Sequence, residues 1–160
     1  MNIRLAAQND HDSIFMMGYD VWSEGVDELA YLDRCRTSPK YAKGIWYVAE
    51  DKGQLLSSLI VYEISDCIYG IGSIATSPRL RKSGFASWLI KDVIDILAKR
   101  SDNSSVIFLY SDINPKFYER FQFCPVPDKF QNHLPSVCMV RPTEEVKKIV
   151  TCTVKVPSYF

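Results

Sequence analysis

Between Gly44 and Thr76 the chain presents three strand-like segments in succession, Ile45–Glu50, Leu55–Ile64 and Ile68–Thr76, interrupted by Asp51-Lys-Gly and by Ser65-Asp66. Connections this short only reverse a strand's direction, so the stretch is committed to an antiparallel meander, with Gly53 suited to a hairpin turn. A meander cannot stand alone and needs a packed layer over its apolar faces. The flanking segments supply it. Upstream, Ile3-Arg-Leu-Ala-Ala reads as a first strand and Asn9/Asp10 as a helix cap. Ile14, Met17, Gly18, Val21 and Trp22 then recur at i, i+3, i+4, i+7 and i+8, the stripe of one amphipathic helix. A second short helix, about residues 25–36, is expected to present Val26, Leu29, Ala30 and Leu32. Downstream come a helix over about residues 84–99, with Ala86, Leu89, Ile90, Val93 and Leu97 on one side, and a buried-type strand, Val106–Tyr110. A short helix, Lys116–Phe121, opens on Pro115, whose missing N–H is not needed in a first turn. Ser136–Arg141 reads as the last core strand. The order predicts a mixed α+β layer around one sheet, in a single domain.

Composition narrows the function classes. At 160 residues and 47% hydrophobic content, the chain has apolar mass enough for a core without metal or disulfide staples. Nineteen Lys+Arg balance nineteen Asp+Glu, which leaves no net field for nucleic acid, a membrane surface or a polyanion. The five cysteines fall in no C-x-x-C pair, and with only two histidines, His11 and His133, neither a metal site nor a Cys-His nucleophile is expected. Met1–Gln8 lacks the apolar run of a signal peptide, and no stretch is long enough to span a bilayer. A reducing, cytoplasmic setting is the expectation.

One segment carries chemistry: Ile74-Ala-Thr-Ser-Pro-Arg-Leu-Arg-Lys-Ser-Gly-Phe-Ala, in which a strand ends, Pro78 turns the chain and a basic, glycine-containing loop opens a helix. The first N–H groups of a helix have no internal acceptor, so such a terminus binds anions. Gly84 lets a phosphate approach the backbone, and Arg79, Arg81 and Lys82 add positive charge. A diphosphate suits the arrangement; a basic loop capping an ordinary helix is the plain alternative. Gly70-Ile-Gly72-Ser-Ile-Ala75 formally matches a dinucleotide fingerprint but lies inside a strand, where its glycines mark a bulge or a close backbone approach instead. The nucleotide-triphosphatase pattern G-x-x-x-x-G-K-[ST] is absent.

Arg81-Lys-Ser-Gly-Phe-Ala86 resembles the R/Q-x-x-G-x-G/A loop of the GNAT superfamily of N-acetyltransferases, in its place between the fourth strand and the third helix. Leu109-Tyr-Ser-Asp-Ile-Asn-Pro-Lys-Phe-Tyr118-Glu-Arg-Phe-Gln-Phe123 is similar to that family's second signature, ending in F-Y-E-x-x-G-F. The likeness spans about residues 1–141. Two positions depart from it: Lys82 stands where Gly is common, and Gln122 replaces the Gly before the last Phe.

The resemblance implies the GNAT-like acyl-CoA N-acyltransferase fold, a mostly antiparallel sheet with helices on both faces, and an acetyl-CoA-dependent transfer to a primary amine with no metal. Backbone groups of Ile74, Ala75 and Thr76 would hold the pantetheine arm of acetyl-CoA, and the main-chain N–H groups of Arg81, Lys82, Ser83, Gly84, Phe85, Ala86 and Ser87 its pyrophosphate. Tyr118 would protonate the leaving thiolate, a task suited to a phenol with a free pKa of about 10; packing between helix and sheet is its structural alternative. Glu50, Glu63 and Asp66 are candidate bases. The acceptor would lie over the first two helices, where Tyr19, Trp22, Glu24, Asp27, Glu28 and Tyr31 form an acidic-aromatic cluster able to receive a cation. The segments around Gly70 and Tyr118 also look like fungal lysine N-acetyltransferases acting on the free amino acid. The partner expected is thus a small-molecule amine, with the chain a monomer or homodimer. A longer acyl-CoA donor and a non-catalytic CoA-binding or protein-interaction module are the other readings. Residues 143–160 form a tail whose Val150-Thr-Cys-Thr-Val-Lys-Val alternation suits an extra edge strand.

Overall fold

The computed structural model describes all 160 residues. Its strands are β1 (Asn2–Leu5), β2 (Ile45–Asp51), β3 (Gln54–Ser65), β4 (Ile68–Thr76), β5 (Val106–Ser111), β6 (Cys124–Pro125) and β7 (Val137–Arg141). The helices are α1 (His11–Met16), α2 (Tyr19–Trp22), α3 (Glu28–Arg36), α4 (Pro39–Lys43), α5 (Phe85–Arg100), α6 (Lys116–Glu119) and α7 (Glu145–Val150). Seven strands form one sheet in the order β1-β2-β3-β4-β5-β7-β6, mostly antiparallel. The exception is β4 with β5, which run parallel from Ile68↔Val106 to Ile71↔Leu109. A parallel neighbour needs a long crossover, and α5 provides it. That ladder stops well before β4 itself ends at Thr76.

The contacts of the chain divide into two compact units, Met1–Val61 with Ser73–Ile96, and Tyr62–Gly72 with Leu97–Phe160. The boundaries fall inside β3, β4 and α5, so the units are interleaved in sequence and no linker separates them.

In the first unit, Arg4 of β1 donates to Glu50 of β2 at 2.5 Å and to Asp10 at 2.6 Å, bracing the strand pair to the start of α1. Trp46 is buried on β2, with Phe15 of α1 and Tyr41 of α4 edge-on to it. The single helix predicted for residues 10–22 is two: α1 ends at Met16 and α2 begins at Tyr19. Gly18 sits at the break, its Cα so close to the Trp22 ring that any Cβ would collide with it. α3 also buries a different face from the one expected. Tyr31 and Cys35, one turn apart, are buried, whereas Val26, Leu29 and Ala30 are exposed. The Tyr31 hydroxyl donates to the Phe15 carbonyl at 3.1 Å, a bond that an aliphatic stripe would not form. α4 stands outside the predicted elements, although Ser38 caps it through the Tyr41 N–H and Pro39 opens it, both ordinary start signals.

In the second unit, Val106, Phe108, Val126, Cys138, Val140 and Ile149 make a buried cluster, with Val154, Val156 and Phe160 packed on it. The tail is therefore not an edge strand: residues 145–150 are helix and residues 154–160 run without regular structure. Its alternate valines are used as cover for the sheet, which satisfies the same apolar pattern without a ladder.

Gly18→Ala is expected to lower the unfolding free energy by about 1–3 kcal/mol in denaturant titration, because Trp22 must leave its seat; an unchanged midpoint would show that the ring moves freely.

Candidate active site

The end of β4, Ser77 and a single 3-10 turn, Pro78–Leu80, lead into Arg81-Lys-Ser-Gly and then α5. The first intrahelical bond of α5 runs from the Trp88 N–H to the Gly84 carbonyl at 3.0 Å, so the N–H groups of Phe85, Ala86 and Ser87 precede the helix's own acceptors. Gly84 has φ +84° and nothing within 4 Å of the place a Cβ would occupy. Glycine is thus required there by backbone conformation, and the space beside it is open. Lys82 also takes a left-handed conformation, φ 66°, which explains why glycine is common at that position. The helix that follows is anchored by Leu89, Ile90, Val93 and Leu97, all fully buried.

Arg81 does not add free charge to this turn. Its guanidinium forks onto Asp20 of α2 with two bonds of 2.7 Å, reaches the Met17 carbonyl at 3.1 Å, and turns Nε to the Thr76 carbonyl at 3.3 Å. The paired guanidinium holds the Asp20 carboxyl below the usual carboxylate range. The tie is therefore intact at neutral pH and is lost only as pH falls through that depressed value. Beside it, Ser57 of β3 donates to the Ala75 carbonyl at 2.6 Å. Of the predicted cationic groups around the turn, Arg81 is thus a strut, with its guanidinium taken up by Asp20, Met17 and Thr76.

Tyr118 lies in the second unit, on α6, 7% exposed, with Phe117 and Phe123 edge-on to its ring. Burial, and secondarily the Asp112 carboxylate, push its phenol up to about 12. The proton is accordingly held throughout the neutral range, and the phenol's share of fold stability is lost only as pH rises from about 10 through that value. Ser136 donates from Oγ to Asp112, fixing the carboxylate that faces the phenol. The turn after α6 closes with the Gln122 N–H on Glu119 and the Phe123 N–H on Tyr118, at 2.9 and 3.4 Å. Gln122 adopts φ 65°, the conformation a glycine would take, so the departure from the motif leaves the turn in place. Phe117 and Phe121 pack under Arg120, at 4.3 and 5.5 Å from ring centre to guanidinium carbon, and Phe123 is buried.

Several groups of the acidic-aromatic cluster are already engaged. Tyr19 meets Tyr31 edge-on and donates to the Val26 carbonyl; Glu24 is paired with Arg34; Asp27 caps α3 through the Ala30 N–H. Glu50 is held by Arg4, while Glu63 and Asp66 are exposed. All five cysteines are free thiols, and burial pushes Cys138 up to about 11, far from a thiolate. A pocket of about 440 Å³ that the sequence did not signal lies in the first unit, lined by His11, Asp12, Phe15, Arg36, Tyr41 and Trp46. These residues are scattered over four elements, and no local motif marks them.

A sequence model of the Acetyltransferase (GNAT) family matches residues 9–123, covering both the β4–α5 turn and the α6 signature. The chain belongs to the GNAT acetyltransferase family. It is accordingly an acetyl-CoA-dependent N-acetyltransferase of the GNAT type. Solved structures share the GNAT fold at low identity. An aminoglycoside 6'-N-acetyltransferase complexed with coenzyme A superposes with TM-score 0.65 at 14% identity, over 88% of this chain and 96% of that one. The GNAT N-acetyltransferase YhbS from Escherichia coli in complex with CoA gives 0.65 at 16%, over 91% and 83%. A spermidine N-acetyltransferase chimera of Vibrio cholerae SpeG and hSSAT gives 0.65 at 19%, over 92% and 99%. No curated protein matches the sequence. No helix is long and apolar enough to cross a membrane.

Restoring the GNAT glycine at the turn after Tyr118, Gln122→Gly, is expected to raise the unfolding free energy by about 0.5–1 kcal/mol, since the left-handed penalty of about 1–2 kcal/mol outweighs the entropy glycine adds to the unfolded chain. Denaturant titration checks this, and a fall in stability would mean that the weak Arg141–Gln122 contact matters more than the strain.

Proposed function

We propose that this GNAT enzyme transfers the acetyl group of acetyl-CoA to a primary amine of a small molecule, by direct attack within a ternary complex. The observation that carries the reading is the β4–α5 turn: consecutive N–H groups ahead of the helix's first acceptor, with open space at Gly84. Arg81, Lys82, Ser83, Gly84, Phe85, Ala86 and Ser87 bind the pyrophosphate through the main chain, in the manner of a helix N-terminus. Ile74, Ala75 and Thr76 take the pantetheine arm by their backbone. The Ala75 and Thr76 carbonyls already accept from Ser57 and Arg81, which fixes the strand end for that task.

In the reaction, the neutral amine nitrogen attacks the thioester carbonyl carbon and a backbone N–H at the end of β4 stabilises the oxyanion. The C–S bond then breaks, the sulfur takes the Tyr118 proton, the amine's own surplus proton leaves to solvent, and solvent returns a proton to the Tyr118 phenolate. Burial keeps the Tyr118 phenol protonated through the neutral range, so it reaches the step with its proton in place. Glu50 is withdrawn from base duty by Arg4. The chain's free cysteines accord with a reducing cytoplasmic setting.

Thiol release with acetyl-CoA and a panel of amines tests the reading; free lysine, spermidine and an aminoglycoside are the first members. Tyr118→Phe retains the ring packing and is expected to lower kcat by roughly 10²-fold, with CoA affinity within about twofold of the parent. Equal loss of both would remove Tyr118 from the chemistry, and CoA binding without turnover of any amine would favour a non-catalytic module.

A further inference from the structure

Aromatic rings gather where α1, α3 and α4 meet the start of β2. Phe15 of α1 stacks on Tyr41 of α4 at 5.5 Å and 13°, and Trp46 of β2 stands edge-on to both, at 6.0 and 5.3 Å. His11, one turn before Phe15, lies tilted against it at 5.9 Å. Phe15 and Trp46 are buried, so their rings are held by the core of the first unit, and every residue named falls within Met1–Val61. The rings do not fill the space between the helices. They border the pocket of about 440 Å³, in the lower part of the range of about 300–1,000 Å³ that small-molecule sites occupy. Its size suits a ligand with one ring system.

The charged groups of the lining are Asp12 of α1 and Arg36 of α3. Both are about half exposed, at 51% and 48%, whereas Phe15 and Trp46 are buried, so the pair marks the solvent end of the pocket. Arg36 donates to the two Asp12 oxygens from Nε at 2.9 Å and from Nη2 at 2.6 Å. A guanidinium carries more donors, and a carboxylate more lone pairs, than this fork uses. Nη1 of Arg36 and the remaining lone pairs of Asp12 can therefore meet a ligand without the pair opening. The pair is also neutral as a whole. An ammonium drawn to Asp12 is repelled by Arg36, and a lone carboxylate meets the reverse; a molecule carrying both charges side by side satisfies both.

We infer that this pocket is a binding site for an aromatic amino acid in its zwitterionic form. The ring enters among Phe15, Tyr41 and Trp46, the carboxylate lies on Arg36 and the ammonium on Asp12. Edge-to-face packing with these aromatic neighbours favours an aromatic over an aliphatic side chain. None of the lining residues belongs to Ile74–Ser87 or to α6, so the site is additional to the groups assigned to the cofactor and to proton transfer.

Calorimetry of the full chain with L-phenylalanine, L-tyrosine and L-tryptophan tests the site, with phenethylamine and phenylpropionate as probes that each lack one charge. At least one of the amino acids is expected to saturate, and each single-charge probe to bind about tenfold or more weakly than L-phenylalanine. Arg36→Gln and Asp12→Asn, both on exposed side chains, are expected to weaken the amino acid by about tenfold while CoA affinity stays within about twofold, which confirms that the variants are folded. Amide-resolved NMR should place the shifts on residues 8–15 and 35–46. No saturation by any of the three amino acids would overturn the site. So would affinity unchanged in both variants, equal binding of phenethylamine, or shifts confined to another segment, and none of these results touches the acetyltransferase reading, which CoA binding and amine turnover decide.

Discussion

The Arg81 guanidinium is the contact on which the candidate cofactor site depends. One side chain accepts the geometry of three separate segments: the Thr76 carbonyl at the end of β4, the Met17 carbonyl after α1, and the Asp20 carboxylate of α2. An exposed ion pair alone contributes little, under about 1 kcal/mol. Here the gain is positional. The planar fork can satisfy a carboxylate with two bonds while its remaining donors hold main-chain oxygens, which a lysine could not do. The residues that follow, Lys82 to Ser87, are then delivered with their N–H groups ahead of the helix.

The turn and the α6 signature share a second constraint, backbone held in the left-handed region by residues other than glycine. Lys82 and Gln122 both sit there, at φ 66° and 65°. Each costs stability that packing must offset, and the buried rows on α5 and around Phe123 are the obvious source. Gly84, in contrast, keeps the residue type its φ calls for. The pattern suggests which parts of the two motifs matter physically: the backbone path is kept while side chains vary.

Much of the fold was legible because it is written in short-range pattern. The strands β2, β3 and β4, set off by short turns, and the stripe of α5 appear at nearly the expected bounds, and the glycine-containing turn before α5 was visible in local pattern, whereas Tyr118 was singled out only through the resemblance to the GNAT motif. What was not legible depends on partners distant in sequence. Arg81 reads as one more cation in a basic loop until Asp20, 61 residues away, is seen beside it. Gly18 reads as a helical residue until Trp22 is found against its Cα. The valines of the tail alternate as a strand would, and only the open face of the sheet in the second unit shows that they serve as cover. The acidic cluster was visible as composition, yet Glu24 and Asp27 proved to be engaged by Arg34 and by the α3 cap, which composition does not reveal.

The central claim is that the backbone of the β4–α5 turn grips the CoA pyrophosphate. Amide-resolved NMR of the full chain titrated with CoA tests it most directly. The account predicts that the largest shifts fall on the N–H groups of Arg81 to Ser87, with saturation in step with binding measured by calorimetry. Saturable binding that leaves those amides unmoved and shifts another segment instead would contradict it.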